Sequence, residues 1–135
     1  EVRQGNETTL EDALGLFCRR ESLTRGNKYR CSACGNLSDA VKQIRVHRAP
    51  PVLTIHLKRF AGGGHGGSSF GGMMPSKINK HIPFPVDLDL APFMSDDRGS
   101  DEGTRYSLYA VLVHDGHSTT SGHYYAFVKA GNQLW

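Results

Sequence analysis

Two apolar runs decide the fold: Tyr106-Ser107-Leu108-Tyr109-Ala110-Val111-Leu112-Val113-His114 and His123-Tyr124-Tyr125-Ala126-Phe127-Val128-Lys129. They are joined by Asp115-Gly116-His117-Ser118-Thr119-Thr120-Ser121-Gly122. β-Branched and aromatic residues dominate both runs, as expected of a pleated surface. The first run is apolar on both faces, which predicts a central strand buried on each side. The connection, rich in small residues and bounded by glycines, predicts a flexible loop between two strands. His123 then stands at the mouth of the second strand. A titratable imidazole held on a rigid element is the usual geometry of a general base.

Outward from this pair, the chain reads as further short strands. Val86, Leu88 and Leu90 alternate after Pro83 and Pro85, and 96–103 is a polar loop. Residues 61–76 are mostly Gly, Ser and Met with a single His65, too little apolar surface to be ordered by burial, so a mobile loop is expected. Val52 to Phe60 predicts a strong strand, with Leu53, Ile55 and Leu57 on one side and Thr54, His56 and Lys58 on the other. Val41 to His47 predicts another, ended by Pro50-Pro51. Near the start, Thr8 and Glu11 have capping-box spacing, and Leu10, Ala13, Leu14 and Phe17 share one helical face. Gly26-Asn27 ends this region. Gly131-Asn132 predicts a turn, with Leu134 and Trp135 opening a further strand. No internal repeat is present. The expected class is α+β and β-rich.

Composition narrows the function. A chain of 135 residues makes one domain with a modest core, and 38% hydrophobic with 21% charged residues is ordinary for a globular protein. No apolar run is long enough to span a bilayer, and no basic-then-apolar leader is present, so no membrane role is expected. The net charge of +3 is interspersed, without the concentrated basic stripe that nucleic acid requires. Three cysteines, two of them in a C-x-x-C, do not form a disulfide framework and suit a reducing compartment.

Three groups could carry chemistry. Cys31-Ser32-Ala33-Cys34-Gly35 is half of a zinc knuckle: two thiolates two residues apart can hold one tetrahedral metal, and the glycine eases the turn. No second pair accompanies it, so reduced surface thiols in a turn are the plain alternative. Cys18 lies on the apolar side of a helix, away from any helix start that would stabilise a thiolate, and reads as a small buried hydrophobe. Seven histidines occur, so position alone singles out none. His47 and His56 sit in strand patterns, His65 and His81 in polar runs, and His114 beside a turn as a hydrogen-bonding residue. His117 precedes His123 in the same loop as a secondary contact. No G-x-S-x-G is present, which leaves serine hydrolase chemistry unsupported.

The ordered motifs resemble the C-terminal half of a ubiquitin-specific protease catalytic domain, a papain-like cysteine peptidase. The matching stretches begin with Thr9-Leu10-Glu11-Asp12-Ala13-Leu14, Glu21-Ser22-Leu23, and Lys28-Tyr29-Arg30-Cys31-Ser32-Ala33-Cys34. They continue with Ala49-Pro50-Pro51-Val52-Leu53-Thr54-Ile55-His56-Leu57-Lys58-Arg59-Phe60, Tyr106 through His114, and Ser121-Gly122-His123-Tyr124-Tyr125-Ala126-Phe127-Val128-Lys129.

The resemblance implies a mostly antiparallel palm sheet, a zinc-type β-finger extension and an N-terminal helix. Residues 1–48 would be the helix and fingers part, and 49–135 the palm part with two Gly-rich loops flanking the ubiquitin tail. His123 would be the catalytic histidine, taking a proton from a cysteine thiol and returning it to the leaving amine. Cys31 and Cys34 would be one half of a structural zinc site. Glu21, Gly116, His117, Gly122 and Tyr124 would contact ubiquitin; Asp87 and Asp89 are weaker candidates. The family's nucleophile and its other C-x-x-C lie upstream, and its third triad residue follows the tryptophan matched by Trp135. The expectation is therefore a thiol-dependent deubiquitinase fragment, inactive alone, whose partners are ubiquitin, ubiquitinated proteins and the N-terminal half of the same domain. The alternative is a catalytically inactive ubiquitin-binding module. The chain in isolation would expose apolar surface and associate. A nuclear or cytoplasmic location is expected.

Overall fold

In the computed structural model, residues 9–61, 76–96, 103–117, 121–131 and 135 are described. Helix α1 (Leu10–Phe17) begins at a reciprocal cap one residue later than the sequence spacing suggests. The Thr9 Oγ1 accepts from the Asp12 backbone N–H at 3.1 Å, and the Asp12 carboxylate accepts from the Thr9 N–H at 3.0 Å. Thr8 lies outside the described residues. Leu10 and Cys18 turn inward with Leu14 between them, whereas Phe17 is 55% exposed and leaves the face assigned to it. The i, i+4, i+8 spacing of residues 10, 14 and 18 explains this substitution of Cys18 for Phe17.

Ten short strands follow. They are β1 (Glu21–Leu23), β2 (Tyr29–Arg30), β3 (Leu37–Ser38), β4 (Ala40–Lys42), β5 (Phe60–Ala61), β6 (Ser76–Lys77), β7 (Asp87–Asp89), β8 (Arg105–Ser107), β9 (Ala110–Asp115) and β10 (His123–Val128). Among the described residues they pair as five antiparallel two-stranded ribbons, β1–β4, β2–β3, β5–β6, β7–β8 and β9–β10. The antiparallel α+β character expected from sequence holds. One continuous open sheet does not form among these residues.

Three strand expectations change. The run from Tyr106 to His114 is split: β8 pairs with β7, the chain crosses at Leu108 and Tyr109, and β9 pairs with β10 instead. Leu108 N–H donates to Val86 O at 2.7 Å and Lys129 N–H to Tyr109 O at 2.8 Å, so the crossing residues keep their backbone bonds while changing partner. β9 is not central among the described residues, and its Leu112 is 74% exposed. The expected strand from Val41 to His47 shortens to β4, because Arg45 turns its guanidinium to the carbonyls of Met94 at 2.6 Å and Pro92 at 3.1 Å. Val46 then makes a lone parallel bridge with Met94. From Val52 to Phe60 the alternation survives in part: Leu53 and Leu57 are half-buried, whereas Ile55, expected on the same side, is exposed like Thr54, His56 and Lys58. Its ladder pairing is confined to Phe60, because pattern sets which way side chains point and a strand still needs a neighbour.

The core sits beside α1. Cys18, Leu90, Phe93 and Met94 are buried, with Leu14, Val46, Ala49, Leu53 and Tyr106 packed against them. The 3-10 turn Ala91–Phe93 carries Phe93 and is flanked by Leu90 and Met94 as its caps, with a proline in its first turn. Tyr106 seals the edge by donating its hydroxyl to Pro50 O at 2.7 Å. Most of the Gly-rich stretch 61–76 and the polar loop 96–103 lie outside the described residues, as do residues 132–134.

Candidate active site

β9 and β10 form the longest ribbon, and their register positions the candidate base. His123 faces Asp115, Tyr124 faces His114 and Tyr125 faces Val113. His123 is the first residue of β10 and is exposed, as a group that must meet a substrate has to be. The loop that precedes it is pinched at its base by two glycines. A Cβ on Gly122 would meet His114 Nε2 and the Asp115 carbonyl oxygen, and a Cβ on Gly116 would meet the Ser121 carbonyl oxygen and Gly122 Cα. Gly122 also has φ +154°, a conformation that L side chains rarely adopt. The two glycines are therefore needed for close approach, and the strand ends could not come together with larger residues. Residues 118–120 at the loop tip lie outside the described residues.

Beneath the pinch lies the His114 ring. It is tilted against Tyr124 at 4.7 Å between centroids and takes the edge of Phe60 at 5.7 Å. Its Nδ1 is buried with no hydrogen-bond partner among the described residues. Among the described residues, the ring's contacts are therefore with aromatic neighbours. Lys77 reaches this point from β6 and donates to the carbonyls of His114 at 2.8 Å and Gly116 at 2.9 Å. Neither Lys77 nor the Phe60–His114 contact is legible in sequence, because the β5–β6 pairing that unites Phe60 with Lys77 spans residues far apart in the chain.

The structure brings Gly116, His117, Gly122, His123 and Tyr124 to one end of one ribbon. Glu21 lies elsewhere, exposed on β1 opposite Lys42. Cys31 and Cys34 share the turn between β2 and β3, where Cys31 N–H donates to Asn36 O at 2.9 Å and Gly35 N–H to Cys31 O at 2.8 Å. Gly35 has φ +71°. Arg30 braces the turn through Gly35 O at 2.8 Å. Hydrogen bonds from the Cys34 backbone, then the Ala33 backbone and the Cys34 thiol, hold the Cys31 thiol below its ordinary range.

Two convergent thiols on a glycine-closed turn fit half of a tetrahedral zinc set. No group of three or more metal-ligating side chains occurs among the described residues. Cys18 behaves differently: burial pushes its thiol up, against the opposing charge of Arg45, and its Sγ lies 3.9 Å from Phe93 O. A buried, neutral thiol is a packing group and not a nucleophile. A shallow hollow of about 440 Å³, lined by Gln43, Arg45, His47, Ser95 and Asp96, contains none of the candidate residues.

The family model described as ubiquitin carboxyl-terminal hydrolase matches residues 18–135. The chain is 47% identical over 128 residues to a probable ubiquitin carboxyl-terminal hydrolase 16 of Schizosaccharomyces pombe, covering 95% of this chain and 26% of that protein. It is 41% identical over 127 residues to human ubiquitin carboxyl-terminal hydrolase 42, covering 94% of this chain and 9% of that protein. Among solved structures, the SAGA Ubp8/Sgf11/Sus1/Sgf73 DUB module bound to ubiquitin aldehyde superposes with a TM-score of 0.70 at 28% identity, covering 95% of this chain and 27% of that one. The chain thus spans 26% or less of the length of these two curated relatives.

Proposed function

The chain belongs to the ubiquitin carboxyl-terminal hydrolase family, and on that premise we propose that it supplies the histidine of a thiol-dependent deubiquitinase. The observation that carries this reading is the site of His123: exposed, first on β10, and set behind two glycines that pinch the preceding loop. In this reading the imidazole takes the proton of a cysteine thiol, and the thiolate attacks the carbonyl carbon of the ubiquitin C-terminal glycine. The tetrahedral adduct collapses, the C–N bond breaks, and the imidazolium returns its proton to the leaving lysine amine. Water, deprotonated by the same imidazole, then hydrolyses the thioester.

The nucleophile is assigned to the part of the longer relatives that this chain does not span. Cys18 is buried and Cys31 and Cys34 share a turn on another ribbon, so none of the three suits the role. The third triad residue is assigned to the segment after Trp135, and the 135 residues alone would then be inactive. Residues 1–48 would form the helix and fingers part, and 49–135 the palm part.

Gly116, His117, Gly122 and Tyr124 would border the ubiquitin tail, whose own terminal glycines suit a narrow channel that side chains cannot enter. Closure of the loops over that tail would exclude water during reaction. Glu21, exposed on β1, would contact the ubiquitin body through its basic surface. Cys31 and Cys34 would hold a structural zinc ion jointly with two ligands from the rest of the protein. Such an ion would pin the turn between β2 and β3 and supply no catalytic chemistry. The partners would be ubiquitin, ubiquitinated proteins and the remainder of the same catalytic domain, in the nucleus or cytoplasm.

The test is release of a fluorophore from the ubiquitin C-terminus by the parent protein, wild type beside His123→Ala. A loss of roughly three orders of magnitude or more in kcat is expected. A folded wild-type protein that binds ubiquitin and releases no fluorophore would make this a recognition module instead.

A further inference from the structure

Lys77 has no part in the chemistry above, yet its ammonium is committed to the strand end that carries the candidate base. Its two acceptors, the carbonyls of His114 and Gly116, flank Asp115, the residue paired with His123. Its cross-strand partner on the β5–β6 ribbon is Phe60, which sets its ring edge against the His114 imidazole. One residue pair therefore holds His114 twice, through the side chain and through the main chain.

The β5–β6 ribbon is itself tied down beyond its ladder. Ile78 N–H donates to Arg59 O at 2.6 Å and the Arg59 guanidinium to Lys80 O at 2.6 Å. The stem bearing Lys77 is thus held by bonds other than the clamp.

Among the described residues, the His114 side chain makes no polar contact through Nδ1 that would share this anchoring. Its Nδ1 has no partner among the described residues, so the ring holds its place by packing against Phe60 and Tyr124. Polar restraint at this end of β9 comes through the backbone, from a charged donor whose hydrogen bonds are stronger than neutral ones. The same point is where the chain must stay closed for Gly116 and Gly122 to remain in contact.

We propose that Lys77 is a positioning residue for the reaction, clamping the His114 and Gly116 carbonyls so that the glycine pinch stays shut and His123 stays in reach of the thiol. This rests on the reading of His123 as the base. Without the clamp, the Gly116 backbone is free to relax, the pinch opens, and His123 moves with the end of its strand. A displacement of about 1 Å at a reacting group is enough to cost on the order of a hundredfold in rate.

The experiment measures kcat and KM of the parent protein on a ubiquitin C-terminal fluorogenic amide, for wild type, Lys77→Met, Lys77→Arg and His123→Ala. Lys77→Met is expected to lower kcat by about thirtyfold or more with KM within about threefold, and Lys77→Arg to recover at least about fivefold of that loss. Rescue by a second cation whose side-chain N–H groups can donate to the same carbonyls separates a clamp from a generic packing role. Should Lys77→Met lose ubiquitin binding through misfolding, Lys77→Gln takes its place under the same limits.

A kcat within twofold of wild type, a loss confined to KM, or an arginine variant no better than methionine would overturn the clamp. Silence of His123→Ala beside an unaffected Lys77→Met would sink the clamp alone. Full turnover by His123→Ala would sink the base reading first, and the clamp with it.

Discussion

The cluster around Cys18 and the β9–β10 ribbon are both apolar in sequence, and only the first is dry. Leu90 and Met94 are 1% and 2% exposed, whereas all six residues of β10 are exposed and Tyr125 and Phe127 stack edge to face in the open. The difference lies in what surrounds them. Around Cys18, a helix, a 3-10 turn and the 46–53 segment converge from different directions, and each covers another's apolar face. The ribbon has two strands and two faces, and the Phe60–His114 contact and the Lys77 clamp meet it at one end. Apolar content is thus no guide to where a fold spends its rigidity. In this chain the candidate base sits on the less covered element, held by backbone contacts more than by burial.

This contrast can be broken by substitution. Leu90→Ala should cost about 2–5 kcal/mol in urea unfolding, since a fully buried leucine loses both transfer energy and packing. Leu112→Ala, at 74% exposure, should cost less than about 0.5 kcal/mol. Equal costs would show that β9 is covered in solution by something absent here. Gly122→Ala sharpens the comparison from the other side: a side chain at φ +154° that also meets His114 and Asp115 should cost about 1–3 kcal/mol although the residue is exposed. A neutral outcome in thermal unfolding would mean that the pinch is not a structural requirement.

The smallest effect concerns thiol reactivity. Cys18 is buried with its thiol pushed up, while Cys34 is exposed and Cys31 is held below the ordinary range. A lowered folded value means the fold favours the thiolate, so Cys31 should react at lower pH than an unfolded thiol does, and this advantage should vanish as pH falls through the folded value. Iodoacetamide labelling followed by mass spectrometry should therefore modify the turn first and Cys18 last. Labelling of Cys18 at the rate of the turn would show that the cluster around it opens.

Legibility varied by the kind of information required. The last strand, the helix and the burial of Cys18 were readable because local patterns suffice for each. A capping box shifts by one residue without changing its logic, since Thr8-Thr9 and Glu11-Asp12 offer the same spacing twice. The division of the 105–115 run into β8 and β9 was not readable. Its residues favour extended backbone throughout, and nothing local says that the hydrogen-bonding partner changes at Leu108. The same limit applies to Val52–Phe60, where the alternation holds at Leu53 and Leu57 but not at Ile55, and a partner strand is missing among the described residues.

Within the candidate site, His123 and the two glycines could be found from sequence because they lie within eight residues of one another. Lys77 and Phe60 could not, as they meet His114 only after β5 pairs with β6 and the resulting ribbon docks on β9. By itself, the sequence determined the family, the antiparallel α+β character, the histidine at the head of a strand and the thiol pair on a glycine-closed turn. These depend on short-range spacing, which the chain carries wherever it folds. The tertiary structure alone decided which apolar runs are buried, where a strand exchanges partners, and which cation anchors the strand end beside His123. Each of those outcomes depends on contacts between residues remote in sequence, whose geometry exists only once the ribbons have packed.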